Sequence, residues 1–562
     1  MRRSWAALLV GGLFIASACS SAQPTTTPGS PTPTAAQSPS APPPSPSPTP
    51  IGPPLDRDPG TLVIAVESFA ADFDPASSHL RSEALIWRGV YESLVRLRGD
   101  CSCITEPMLA DSWDADATFK SWTFRLHPGV TFSDGTTLSA AAVKANYVRI
   151  IKLDLGAAGI LGGYITDPSK QIVVLDPLTL RFDLDRPTRR FDAVLGALYG
   201  TGIVSPAVLA AHSSGPTDQG HAWLLTHALG SGPYMLQSLV PGDRVVLVQN
   251  PTYWRSTTDQ HFSKIVIRAV PDASTRLALL EAGEVDIADP GTPEEIAAVR
   301  DDPRFFVGDA KNFQMNYIVL GEYGPLAKPA ARQAMNYLFP YDDFLDTTAK
   351  GTMERADGIF PDQMLTHDAD VFVYPTDVDK ARQLLAAAGV ARGTVLTFEY
   401  AAGFGKEVGL LLRAQLEKVG LKLTLVEKSA AAVQADLTTN RLVAKRANMY
   451  YWTWLPDYDS PTDFSWTLFH SHAAPSYCRC YNAGYYHDAR VDQIIDASRT
   501  QIDDEKLSAL FKEAQDILVR LDPAWVPVGQ QLEETYFRRD IGGQVFNPLY
   551  VSTWDFYALF RQ

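Results

Sequence analysis

The sequence predicts an α/β protein of two or three domains, and three observations carry that prediction. Beyond a polar stretch ending near Pro59, about 500 residues run on with apolar and charged residues well mixed, more than one hydrophobic core accommodates. Trp122, Phe124 and Leu126 alternate with Thr123, Arg125 and His127, the period-2 pattern of a strand with one buried face. The second half repeats a strand–helix–strand order, as expected of an α/β lobe.

The chain opens with the features of an export signal. Arg2-Arg3 is a basic start, and Trp5 to Ile15 is an apolar run well short of the roughly 20 residues that span a bilayer. Ala16-Ser17-Ala18-Cys19 follows. It resembles a bacterial lipobox, with Ala16 where leucine is usual, and the resemblance implies cleavage before Cys19 and diacylation of its thiol. An ordinary signal peptide cut after Ala18 is the alternative. From Ser20 to about Pro59 nearly every residue is Pro, Ser, Thr, Ala or Gln, a composition that forms no core and stays extended. At about 3.1 Å per residue such a spacer reaches up to roughly 100 Å. A formal net charge of −15, with no basic patch interleaved with aromatics, argues against nucleic-acid binding.

The elements of the body read in order. Leu62 to Val66 is a short apolar run expected to be a buried strand, and Asp72 to Pro75 a turn. Ser82 to Leu94 reads as a helix. After the Trp122–Leu126 strand, the turn pairs Pro128-Gly129 and Asp134-Gly135 bracket a short second strand, Val130 to Phe132. A helix from Leu138 to Ile150 follows, with Ser139 as N-cap. Val245 to Val248 and Ile265 to Ala269 are strands, and Ser274 to Ala282 is a helix closed by Gly283. Further on, Thr376 caps a helix from Asp377 to Ala388, with Asp379 three residues on and Gly389 at its end. Strand Val395 to Tyr400, a helix from Lys406 to Val419 closed by Gly420, and strand Leu421 to Glu427 complete one unit. Asn448 to Trp454 is a very aromatic strand, and the chain becomes strand-rich again from about Trp525.

Several of these segments carry a family resemblance. The run from Ala115 to Ala140 closely resembles the signature segment of the family 5 extracellular solute-binding proteins, the peptide- and nickel-binding components of ABC importers. Val90 to Leu94, Gly230 to Met235 and Pro251 to Trp254 resemble further pieces of that family, as does Asn312 to Tyr317 before a helix placed at Pro325 to Leu338. That helix is expected to stop before Pro340. The resemblance implies a two-lobed periplasmic-binding-protein-like fold (type II, cluster C) with an extra subdomain in the first lobe. Its divisions would be a signal peptide at 1–18, an anchor site and linker at 19–59, and lobe I at 60–285 with the subdomain at roughly 90–200. Lobe II would take 286–525, and 526–562 would return to pack on lobe I.

The same resemblance singles out a ligand site. Tyr451 to Phe464 is similar to a family stretch in which an aspartate, here Asp457, holds the α-ammonium of a bound peptide. A carboxylate in a closed cleft shielded by Trp452, Trp454 and Tyr458 gains from a charge-assisted hydrogen bond. The same residues also read as a strand end whose aromatics pack in the core, with Asp457 opening a turn. Asn316 reads equally as cleft lining or as a sheet-edge hydrogen bonder. Arg255, Arg276 and Arg355 could meet a ligand carboxylate, but nothing in their spacing selects one.

Four cysteines remain after Cys19: Cys101, Cys103, Cys478 and Cys480. In an exported chain an even set reads as disulfides, and four allow three connectivities. Closing each Cys-x-Cys on itself makes a small ring, so a cross-link between the two segments is the favoured expectation. His470, His472, Cys478, Cys480 and His487 form a dense set suited to zinc or copper(I), but the spacing fits no standard finger, so no metal and no cofactor is expected. The chain contains no nucleophile-elbow, zincin or P-loop motif, and Ser231 between two glycines belongs to the binding-protein turn. The expectation is a non-enzymatic, lipid-anchored, monomeric binding protein that closes on short peptides and delivers them to an ABC permease and ATPase. The alternative keeps the fold and changes the solute to a metal chelate, a sugar or an opine-like compound.

Overall fold

The computed structural model describes residues 58–562 apart from 70–71, 78–80, 100, 257–260, 440–442 and 479. The signal peptide, Cys19 and nearly all of the linker lie outside the described residues, as does the side chain of Cys103. Among the described residues no helix is long and apolar enough to cross a membrane.

Two large sheets organise the body. In the first, seven strands lie in the order Phe305–Val307, Tyr536–Arg538, Ile287–Ala288, Thr61–Val66, Lys264–Ala269, Arg244–Gln249 and Tyr234–Val240. Thr61–Val66 pairs in parallel with both neighbours and is buried along its whole length. Leu62, Ile64 and Val66 enter one apolar cluster, while Val63 and Ala65 enter another on the opposite face. That two-sided burial explains why the strand reads as a continuous apolar run. The second sheet has six strands: Met353–Glu354, Trp525–Leu532, Lys311–Leu320, Met449–Trp454, Val395–Tyr400 and Lys422–Glu427. Its last three strands are parallel and carry the strand–helix–strand units expected from the sequence. A four-stranded sheet, Ala110–Ala115, Ser121–Leu126, Thr179–Asp183 and Ile172–Asp176, sits in the stretch expected to form a subdomain.

The chain passes between the large sheets twice, side by side. One crossing joins Val307 to Lys311 and the other joins Leu532 to Tyr536. Gly308 N donates to Thr535 O at 3.2 Å and Glu533 N to Ala310 O at 2.7 Å, so the two crossings are tied to each other. A Cβ on Gly308 would lie 2.8 Å from Glu533 Cγ, which is why this close approach takes glycine. The Glu533 carboxylate is buried and accepts from Thr535 N, Thr535 Oγ1, Ser552 N and Ser552 Oγ.

Several local expectations need correction. Residues Val130 to Phe132 form no strand, only an isolated bridge from Thr131 to Thr137, because the two flanking turns leave no room for a ladder. The first helix is Arg81–Val90 and stops four residues short of Leu94. The Val90 carbonyl accepts from Gly232 N at 2.9 Å, which the Gly230–Pro233 turn brings against it. The later helix begins at Pro329, not Pro325, with the proline in the first turn where its missing N–H costs nothing. It ends at Leu338, one residue before the position adjacent to Pro340. Asp377, not Thr376, caps Val378–Ala388, accepting from Lys380 N at 2.8 Å, while Thr376 Oγ1 donates to Phe339 O. Trp525–Leu532 belongs to the second sheet, so the return to the first begins after Leu532 rather than at 526. Ser139 does cap its helix, accepting from Ala142 N.

The cysteine pairing also differs. Cys478 bonds to Cys480, with Cα atoms 5.2 Å apart, a separation that lets a ring with one intervening residue close. A cross-link from these two cysteines to the 101–103 segment is thereby excluded. Cys101 is likewise disulfide-bonded.

Candidate functional site

The strand Met449–Trp454 lies between Lys311–Leu320 and Val395–Tyr400, with Tyr450 and Tyr451 buried and Trp452 to Trp454 half-buried. Its C-terminal end opens into the loop Leu455 to Ser460 and then the helix Pro461–Phe469. Ser460 caps that helix, its Oγ accepting from Asp463 N at 3.3 Å, and Pro461 occupies the first turn. These local signals fix where the loop ends, and so where Asp457, Tyr458 and Asp463 are presented.

Opposite this loop stands the segment that flanks the four-stranded sheet. Tyr164 follows the short helix Ala158–Gly162, and Arg186 follows the strand Thr179–Asp183. The Tyr164 hydroxyl donates to Asp463 Oδ2 at 2.6 Å and lies 3.0 Å from the Tyr458 hydroxyl. Arg186 Nη2 donates to Asp463 Oδ1 at 3.1 Å, and its guanidinium covers the Tyr164 ring at 4.5 Å. Ser460 Oγ adds a third donor to Asp463 at 2.7 Å. Arg189 extends the contact, pairing with Asp504 at 2.8 Å and donating to Ile502 O at 2.9 Å. Burial first, and the Asp463 charge second, push the Tyr164 and Tyr458 phenols well above their ordinary range, so both remain neutral.

Beside this cluster lies a cavity of about 380 Å³, walled by Ile160, Gly163 and Arg186 on one side and by Trp454, Asp457, Tyr458, Trp466 and Arg499 on the other. Three of the sequence-derived site residues, Trp454, Asp457 and Tyr458, thus come together on one wall. Two do not. Asn316 is buried within the second sheet, where its Oδ1 accepts from the Tyr451 hydroxyl at 3.0 Å and its Nδ2 donates to Gln531 at 3.3 Å. Trp452 stands opposite Tyr317 in the sheet register and packs against the core outside the cavity wall.

The three arginines considered from sequence lie elsewhere. Arg276 gives its guanidinium N–H groups to the carbonyls of Val270, Pro271, Asp289 and Pro290. Arg355 bonds to Tyr374 O and lies over the Tyr341 ring, and Arg255 lies over Trp254. Tyr164, Arg186, Asp463 and Arg499 also belong to the site. Asp463 sits inside the Tyr451–Phe464 motif, in the first turn after a proline, which was a usable signal. Tyr164, Arg186 and Arg499 carry none in their own neighbourhoods.

Other expectations resolve into structure. Ser231 is fully buried and donates to Glu92 at 2.8 Å, beside Trp254 Nε1 at 2.9 Å and the Tyr253 hydroxyl at 3.0 Å. His470 Nδ1 accepts from His472 N at 3.1 Å, and Cys478 and Cys480 are taken up by each other. A second, larger cavity of about 590 Å³ lies where Gly291 and Pro293 face Thr347, Thr352 and Phe404. It includes Glu534 from the second crossing, whose carboxyl is pushed up to about 8 by burial and then by the neighbouring Glu533.

Two α/β sheets joined by paired crossings, with a walled cavity where their flanking segments meet, define the class of two-lobed solute-binding proteins. The model of the bacterial extracellular solute-binding proteins, family 5, matches residues 105–476, and the chain belongs to that family. Among curated relatives, the probable D,D-dipeptide-binding periplasmic protein DdpA of Escherichia coli is 27% identical over 496 residues, covering 87% of this chain and 92% of that protein. The periplasmic binding protein DppA of Helicobacter pylori, solved in complex with the peptide STSA, superposes with a TM-score of 0.75 at 22% identity. That match covers 89% of this chain and 98% of the other. NikZ of Campylobacter jejuni, solved with Ni(L-His), gives 0.76 at 19% identity, covering 90% and 100%.

Proposed function

We propose that this protein is the substrate-binding component of an ABC importer, capturing short peptides in the 380 Å³ cavity and handing them to a membrane permease and its ATPase. The observation that carries this reading is the placement of Asp457. It lines the cavity beside Trp454 and Tyr458, on the opposite side from Arg186 of the other lobe. A peptide ammonium on Asp457 would gain a charge-assisted hydrogen bond in a partly dry site. Because the walls come from two lobes, the bound peptide touches both and favours the closed arrangement. The wall residues offer carboxylate and guanidinium groups rather than imidazole or thiol, which favours a peptide over a metal chelate held directly by the protein. The peptide-binding names of the relatives point the same way.

In this reading the protein works as a monomer outside the cytoplasmic membrane. Cys19 carries the lipid anchor, and the Pro/Ser/Thr-rich linker spaces the body from the bilayer. Titration calorimetry with free and N-acetylated dipeptides tests the role of Asp457. Acetylation removes the ammonium and is expected to weaken binding by roughly 2–5 kcal/mol through loss of its charge-assisted hydrogen bond to Asp457. Equal affinity for the two forms would refute it.

A further inference from the structure

The disulfide Cys478–Cys480 gives the fold little of what a cross-link ordinarily supplies. A bridge stabilises chiefly by closing a loop of the unfolded chain, and the gain grows with the length closed. Here a single residue lies between the two cysteines. What this clip fixes is local. Both cysteines are half-buried and sit at a solvent-facing tip, where Tyr477 is 67% exposed. Tyr481 follows directly, held between the clip and the buried Asn482. The Asn482 backbone N donates to Ala473 O at 3.1 Å, and its Nδ2 donates to His470 O at 3.1 Å and Tyr486 O at 2.8 Å. The Tyr481 ring meets Trp454 edge-on, with centroids 4.8 Å apart, and Trp454 lines the 380 Å³ cavity. An accessible disulfide is thus one residue and one ring contact away from the cavity wall.

A half-exposed bridge is open to attack by an external thiolate, unlike one sealed in a core. We propose that Cys478–Cys480 is a redox clip on the binding cavity. Closed, it seats Tyr481 against Trp454; opened by an extracytoplasmic dithiol, it loosens that wall and lowers affinity for the solute. The step is thiol–disulfide exchange. A thiolate of the dithiol attacks Sγ of Cys480 and displaces Cys478 as a thiolate, which takes up a proton. The second thiol of the reductant then attacks its partner sulfur in the mixed disulfide. Cys480 leaves and is protonated in turn, and the reductant departs as a disulfide, so two electrons and two protons pass to the pair. Cys478 Sγ lies 3.4 Å from His472 O, so the thiol it becomes has an acceptor in place. Once open, the two Cα atoms are free to part from 5.2 Å toward the roughly 7 Å of extended chain, which shifts Tyr481. The coupling is reciprocal, so a bound solute makes the pair harder to reduce.

The test compares oxidised and dithiothreitol-reduced wild type with a Cys478→Ser/Cys480→Ser variant, which cannot close the clip and keeps the other cysteines. Alkylation and mass spectrometry report the thiols, and circular dichroism reports the fold. Hydrogen exchange follows the backbone of residues 449–458. Titration calorimetry gives the affinity for the tightest binder among free dipeptides, beginning with alanyl-alanine. Reduction is expected to leave the circular dichroism unchanged, to speed exchange at 449–458, and to weaken dipeptide binding about three- to tenfold, the scale of one aromatic contact. The variant should match reduced wild type with or without reductant. Saturating dipeptide should make reduction harder by about 15–30 mV, the same factor read from the other side. Equal exchange and affinity in the two redox forms, or a pair that stays oxidised in the folded protein, would overturn the clip. A folded protein that binds no free dipeptide in either form would overturn the peptide reading, on which the affinity arm rests, and the exchange arm would then decide the clip alone.

Discussion

Two arginine–aspartate pairs in this protein do different work. Arg149 and Asp74 join a helix of the first lobe to the turn after its first strand, with both side chains almost wholly inaccessible, at 1% and 0% exposure. Both guanidinium arms reach the carboxylate, at 2.8 and 2.5 Å, and His221 and Ala76 N complete its shell. Arg186 and Asp463 join the two lobes, and they keep 14% and 31% exposure. The first pair cannot separate without leaving a charge in the core. The second can exchange its partner for water when the lobes part. Burial, rather than residue type, therefore separates a fixture of the fold from a contact that can open.

The comparison breaks most visibly at Asp74. Asp74→Asn leaves Arg149 buried without a counter-charge and should lower unfolding stability by about 3–5 kcal/mol, read from urea denaturation. A loss no larger than that of a surface pair would erase the distinction. The crossing between lobes offers an intermediate case. Glu534 is held neutral well above the ordinary carboxyl range, up to about 8, whereas it ionises near 4.5 in the unfolded chain. Its burden on the fold is therefore absent at pH 4, grows as pH rises from 4.5 toward 8, and is constant above that. Glu534→Gln should stabilise the protein on the order of 2 kcal/mol at pH 8.5, allowing for partial exposure, and by nothing measurable at pH 4. A gain independent of pH would contradict this. The smallest effect belongs to Asp463, where Asp463→Asn should change stability by less than about 1 kcal/mol because water can replace Arg186.

Much of the fold was legible in the sequence because local rules wrote it. Apolar alternation marked Ser121–Leu126, and Ser139, Gly389 and Gly420 marked helix ends, the last two with the positive φ that glycine tolerates. The misreadings fell where a distant partner decided the outcome. The first helix stops at Val90 because Gly232 takes its carbonyl, and Pro325 gave way to Pro329 as the helix start. The candidate site was legible on one side only. The motif around Asp457 is contiguous, whereas Arg186 lies 277 residues from Asp463, and no local pattern announces such a pairing. Asn316 and Trp452 illustrate the converse, since a motif residue can equally serve the sheet that carries the site.

The central claim is that the lobes move as shells about the paired crossings and are held together by the solute between them. Small-angle scattering of Asp463→Asn with and without alanyl-alanine, beside wild type, tests it most directly. The variant should have a larger radius of gyration than wild type when empty, and the dipeptide should bring it back to the wild-type value. Identical scattering curves for both proteins, with and without peptide, would contradict the claim.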